Sequence, residues 1–119
     1  MKEFTIHGQV PSKSNSYKII TIKGHNALGK TKALTDYENV FYFECPLRGL
    51  NIQGYFNVEV DVFFTSLAHD LDNAAKIILD CLQHCKVIKN DNRCMDLHMR
   101  KFKDADNPRC VIRIEEIEL

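Results

Sequence analysis

Two aspartates, Asp70 and Asp72, stand where an alternating stretch gives way to a helical one, and Lys76 follows Asp72 by one turn. A loop residue and a residue inside the first helical turn can converge on one spot, which positions i and i+2 of a regular helix do not. Asp72, Lys76 and Asp80 are spaced by fours and share the polar face of that helix, with Asn73 and Gln83 at its edges. Another aspartate, Asp91, lies in the turn after the helix. The helix must run back along a sheet, and the sequence leaves open which end that turn returns to. Carboxylates without a well-placed histidine make a hard oxygen site, suited to Mg²⁺ or Mn²⁺ rather than zinc. Mg²⁺ needs only one or two carboxylates when a substrate supplies phosphate oxygens. A lysine one turn along can offset the charge that builds on a transferring phosphoryl group. The competing reading is surface decoration, with Asp72 and Lys76 an ordinary i, i+4 pair and Asp70 only a helix cap.

The elements that must position these groups follow from periodicity. Phe4, Ile6, Gly8 and Val10 share one parity and predict a first strand, stopped by Pro11 and the Ser/Asn run after it. Residues 19–22 predict a short second strand, and residues 24–32 a basic, mobile loop. Thr35 and Glu38 have capping-box spacing and predict a helix over 36–44, although Val40 to Phe43 would fit a strand as well. Phe56, Val58, Val60, Val62 and Phe64 alternate as a half-buried strand. From Leu71 the period becomes helical, with Leu71, Ala75, Ile78, Leu82 and Cys85 on one stripe. Met95, Leu97 and Met99 predict another strand, residues 104–108 a hairpin turn, and Cys110, Ile112 and Ile114 the last strand. The expected fold is α+β: one domain over residues 1–119, with a twisted mixed sheet of about four strands packed against two helices.

Composition narrows the class. The chain has 119 residues, 45% of them hydrophobic and 27% charged, enough to bury a core without disulfides or a structural metal. No apolar run approaches a membrane span, and Met1-Lys2-Glu3 opens no signal peptide. Five cysteines without an export signal point to a reducing, cytoplasmic compartment. Cys81, Cys85 and Cys94 with His84 or His98 could be drawn as a zinc cluster, but C-x3-C on an apolar stripe reads better as buried small hydrophobes. The formal charge is zero, yet the first 33 residues carry six lysines against Glu3 alone, and the centre around Asp70 is acidic. That pattern is compatible with a metal site inside a phosphate-binding surface, and with a plain solvated face.

The run Asp70-Leu71-Asp72-Asn73-Ala74-Ala75-Lys76-Ile77-Ile78-Leu79-Asp80-Cys81-Leu82, followed by Asn90-Asp91, resembles the signature of the RusA family of Holliday junction resolvases. Pro11-Ser12-Lys13-Ser14-Asn15-Ser16-Tyr17 is similar to the Pro-Ser-x-Asn-x-Tyr element of that family, with a change around Ser14. The resemblance runs from residue 4 to the end. It implies a homodimeric, Mg²⁺- or Mn²⁺-dependent endonuclease, without organic cofactor, that cuts opposed strands of four-way DNA junctions to leave 5′-phosphate and 3′-hydroxyl ends. It carries the metal-binding carboxylates onto Asp70, Asp72 and Asp91 and the essential lysine onto Lys76. Asn90 stands where the family usually has the first aspartate of a pair, and contributes no charge. The resemblance also implies a bacterial, often prophage, origin.

With that chemistry the basic residues acquire roles. Lys13, Lys18, Lys23, Lys30 and Lys32, with Lys101 and Lys103, are expected to bind backbone phosphates, with Asn15 and Tyr17 beside them. Tyr17 either stacks or packs, and His69 either touches the site or is solvated. Phe41, Phe43, Tyr55 and Phe63 exceed what the inner face of one sheet needs, and are expected to supply a dimer interface. A nuclease acting on flaps, and a non-catalytic DNA-binding relative, are the alternatives.

Overall fold

The computed structural model describes residues 1–118. In chain order these form β1 (Lys2–His7), β2 (Tyr17–Ile22), β3 (His25–Lys30), α1 (Lys32–Glu44), β4 (Tyr55–Phe64), α2 (Leu71–His84), β5 (Cys94–Lys103) and β6 (Arg109–Ile117), with a 3-10 turn at Asp91–Arg93. Four strands make the main sheet in the order β1-β6-β4-β5, and β2 and β3 make a separate two-stranded hairpin. β4 and β5 run parallel, whereas β1–β6 and β4–β6 are antiparallel. A parallel neighbour requires a crossover, and α2 supplies it. The α+β expectation of a mixed four-strand sheet against two helices holds.

One face of the sheet builds the core. Phe4 and Ile6, the even residues of β4, and Cys110, Ile112 and Ile114 meet Leu34, Tyr37 and Phe41 of α1 and Ala74, Ile77, Ile78, Cys81 and Leu82 of α2. Each fully buried large side chain, such as Phe41 or Phe56, contributes about 1.5–3 kcal/mol. The opposite face carries charge. Arg113 Nε binds Glu3 at 2.7 Å, Arg113 Nη1 reaches Asp61 at 3.2 Å, and Arg100 Nε binds Asp61 at 2.8 Å and also pairs with Glu59. Cys81 and Cys85 are buried small hydrophobes, whereas Cys94 is half-buried.

Several local expectations change. α1 starts at Lys32, not 36, because Thr31 is the N-cap and its Oγ1 accepts the Leu34 N–H at 3.3 Å. Val40 to Phe43 are helical, as the helix over 36–44 expected and against the strand alternative, because Phe41 falls on the buried stripe of α1. The mobile loop over 24–32 is instead β3, paired with β2 through the two-residue turn Lys23-Gly24 at φ 51° and 79°. Both residues lie in the left-handed region that a tight hairpin turn demands. Residues 104–108 are no hairpin turn, since β4 separates β5 from β6. The segment crosses the end of β4, where the Asp104 N–H donates to Phe64 O at 2.8 Å.

The apolar surplus expected at an interface also shrinks. Phe41 is core, and Phe63 stacks on Phe102 at 4.9 Å with the Arg109 guanidinium 3.8 Å from its centroid. Tyr55 sits under Arg93, leaving Phe43, 80% exposed, as the free one of the four. Among the described residues no helix is long and apolar enough to cross a membrane.

Candidate active site

The segment 65–70 turns the chain from β4 into α2, and several contacts hold its shape. Gln9 Oε1 accepts the Thr65 N–H at 2.6 Å, and Gln9 Nε2 lies 3.4 Å from His69 Nε2. The His69 ring stacks on Phe64 at 4.8 Å. Lys101 Nζ donates to the carbonyls of Leu67 and His69, each at 2.9 Å. Asn73 Nδ2 donates to Pro11 O at 2.8 Å, tying the first turn of α2 to the segment after β1. The result is a cleft of about 250 Å³ lined by Ser12, Lys13, His69, Asp70, Asp72 and Asn73 among others.

Asp70 occupies the N-cap position of α2 with extended backbone, but its side chain makes no capping bond, contrary to the cap reading. Among the described residues neither Asp70 nor Asp72 enters an ion pair. Two uncompensated carboxylates thus share one cleft at the positive end of the α2 dipole. Such a pair fits a hard divalent cation completed by substrate oxygens.

Lys76 stands one turn along, its Nζ 5.6 Å from the centroid of the half-buried Tyr17 ring. Tyr17 packs against the edge of the core and also lines the groove beside Lys76. Lys13, Tyr17, Leu28, Lys30 and Lys76 line an adjoining groove of about 490 Å³. Farther on, burial holds the Asp80 carboxyl above its ordinary range, with Asp91 and Glu38 adding to the shift against Lys76 and Lys30. A carboxylate shifted upward by folding costs stability at neutral pH, and the cost fades as pH falls through the raised value toward the unfolded one. Asp80→Asn is therefore expected to melt higher than the parent at neutral pH, with the gap narrowing as pH falls and closing only below about pH 4; thermal melts across that range measure it.

Asp91 opens the 3-10 turn before β5, and its N–H donates to Gln83 Oε1 at 3.1 Å. Gln83 lies in the last turn of α2, which the helical rise places about 16 Å from Asp72. Asp91 thus returns to the far end of the helix. Within one protomer it does not meet Asp70 and Asp72. Among the described residues no group of three His, Cys, Asp or Glu side chains is placed to hold a metal.

A family model described as Endodeoxyribonuclease RusA matches residues 10–115. The chain belongs to the RusA family. No curated relative matches it. RusA membership places it in a family of endodeoxyribonucleases and supports nuclease activity in general. The matched range includes the segment after β1, the β2–β3 hairpin, α2 and the Asp91 turn.

Across this RusA chain the basic residues fall into separate places. Lys13, Lys30 and Tyr17 gather around Lys76, while Lys18 and Lys23 are exposed on the hairpin. Asn15 is exposed in the turn before β2, its N–H bonded to Ser12 O at 3.1 Å. Lys30 is bound to Glu38 at 2.8 Å, and Lys32 to Asp36 at 2.6 Å. Lys101 braces the Asp70 loop, and Lys103 is exposed at the end of β5. Sequence reasoning missed Gln9 and the bracing roles of Asn73 and Lys101. Gln9 fell on the polar parity of the first strand expected to run to Val10, but β1 ends at His7, before Gly8 at φ 96°; all three residues act through partners distant in sequence.

Proposed function

We propose that this RusA-family chain is a Mg²⁺-dependent endodeoxyribonuclease that resolves four-way DNA junctions as a homodimer. The observation that carries the reading is the pair Asp70 and Asp72, unneutralised in one cleft at the N-terminus of α2, beside the lysine-lined groove of Lys76. Mg²⁺ or Mn²⁺ held there would lower the pKa of a water and offset charge on the scissile phosphate. Asp70 and Asp72 would hold that ion. Lys76, one turn away, would face the phosphate, and Lys13, shared by cleft and groove, would hold the strand at its flank.

Paired cuts call for two sites related by a two-fold axis. The separation of Asp91 from Asp72 supports the same arrangement. β5 is an edge strand, and Leu97 on its helix-side face is 38% exposed. Antiparallel pairing of β5 with its copy sets the Asp91 end of one protomer against the Lys101 end of the other, where Lys101 braces the loop of Asp70. Asp91 then completes the acidic centre in trans. A stable interface of this kind buries on the order of 2,000 Å².

The test is cleavage of matched four-way, flap and linear substrates. Mg²⁺ is expected to yield paired, symmetric, religatable nicks in the four-way junction and none in EDTA. A stable monomer that nicks linear duplex as fast as junction overturns the reading and leaves a general metal-dependent nuclease.

A further inference from the structure

We propose that the β2–β3 hairpin is a base-contacting ribbon, in which Ile19 and Leu28 cover nucleobases left unstacked at a DNA branch point. The proposal rests on the nuclease reading of the neighbouring cleft. Ile19 and Leu28 are directly opposite in register, on the same face, and 76% and 75% exposed. The pair Tyr17–Lys30 precedes them on that face and Thr21–Asn26 follows. Leu28 also lines the groove with Lys13 and Lys76, so the apolar pair extends the surface that leads from the acidic cleft.

Charge selects the occupant. No Asp or Glu occurs between Glu3 and Asp36, and the ribbon carries Lys18, Lys23 and Lys30. An occupant must be anionic and offer apolar faces. Nucleic acid with open base steps meets both demands, whereas an intact duplex keeps its base faces stacked. Aliphatic wedges at base steps are an established way to hold such distortions. A second copy of the ribbon would bring lysines against lysines, which opposes self-pairing.

The ribbon is built to keep its shape. Lys23, with a side chain, is held at φ 51°, which fixes a cation at the tip of a tight turn. Gly29 leaves room on the other face for Ile20, whose Cδ1 would lie 2.9 Å from an added Cβ. At the base, the Thr31 N–H donates to Ser16 O at 3.0 Å, and Thr31 goes on to cap α1.

The test uses the full chain in EDTA with a four-way junction carrying 2-aminopurine beside the branch point. The parent is expected to raise the fluorescence on binding. Ile19→Thr/Leu28→Thr keeps β-forming, exposed side chains. It is expected to lose the rise and to bind the junction about tenfold more weakly, with linear-duplex affinity within about twofold of the parent. Ile19→Val/Leu28→Met is expected to retain the rise, and single Ile19→Thr carries the same reading if the double variant melts early. A parent that gives no rise, or a Thr variant that gives the full rise, overturns the proposal. Loss of the dimer in light scattering of the Thr variant also overturns it, by assigning the pair to contact between copies. Failure of Mg²⁺ cleavage would strike the nuclease reading alone, because the fluorescence is read without metal.

Discussion

Asp72→Asn is expected to lower Mg²⁺-dependent junction cleavage by about a thousandfold or more while leaving junction binding equal or tighter. The substitution preserves shape and one neutral oxygen but removes half the charge of the Asp70–Asp72 pair, neither of which has a cationic partner of its own. Catalysis loses a cation ligand. Binding loses only a repulsion, because a bare carboxylate beside a phosphate disfavours the complex. Lys76→Ala separates the same effects from the opposite sign of charge. It removes the cation facing the phosphate, and with it a contact over Tyr17 worth about 0.5–1 kcal/mol. Cleavage should fall steeply and affinity modestly. Gel-shift titrations in EDTA beside product assays in Mg²⁺ resolve the two. An Asp72 variant that binds much more weakly, or that cuts as well as the parent, would remove Asp72 from the centre.

What could be read beforehand depended on whether the deciding contact was local. β4 and α2 were legible because each lays a regular period against the core, Phe56 to Phe64 by twos and α2 by helical steps, although the buried stripe of α2 runs through Ala74, Ile77, Ile78, Cys81 and Leu82 and leaves Leu71 and Ala75 half-buried. The sharing of one cleft by Asp70 and Asp72 was legible because the strand-to-helix junction is local, and Lys76 follows Asp72 by one helical turn. β3 was not, since Ala27 and Leu28 give it no buried face and its turn uses Lys23 where asparagine or glycine is the usual signal. Thr31 and Thr35 are both competent caps by type, and the choice fell to Leu34, whose burial pulls the helix start forward. The crossing of 104–108 over β4 was hidden because strand order is set by the α2 crossover and not by the loop. Asp91 was open for a related reason: its place depends on where a helix ending at His84 delivers the chain along the sheet. The Asn73–Pro11 and Lys101–His69 bonds join residues far apart in sequence, and no spacing rule reaches them.

The central claim is an acidic centre completed between two protomers, and subunit mixing tests it most directly. Asp72→Asn and Asp91→Asn homodimers are each expected to be inactive. In a mixed dimer, one centre combines the intact Asp70 and Asp72 of the second variant with the intact Asp91 of the first, and the other centre carries both substitutions. Random exchange makes about half the dimers mixed, each with one working centre, so nicking should return to about a quarter of the parent level and as single rather than paired cuts. The strands cut, counted on a junction labelled on all arms, read both the level and the pairing. Recovery of nicking on mixing is the predicted result. A mixture that stays as inactive as its components, with mixed dimers demonstrated in solution, would contradict an acidic centre completed across the dimer.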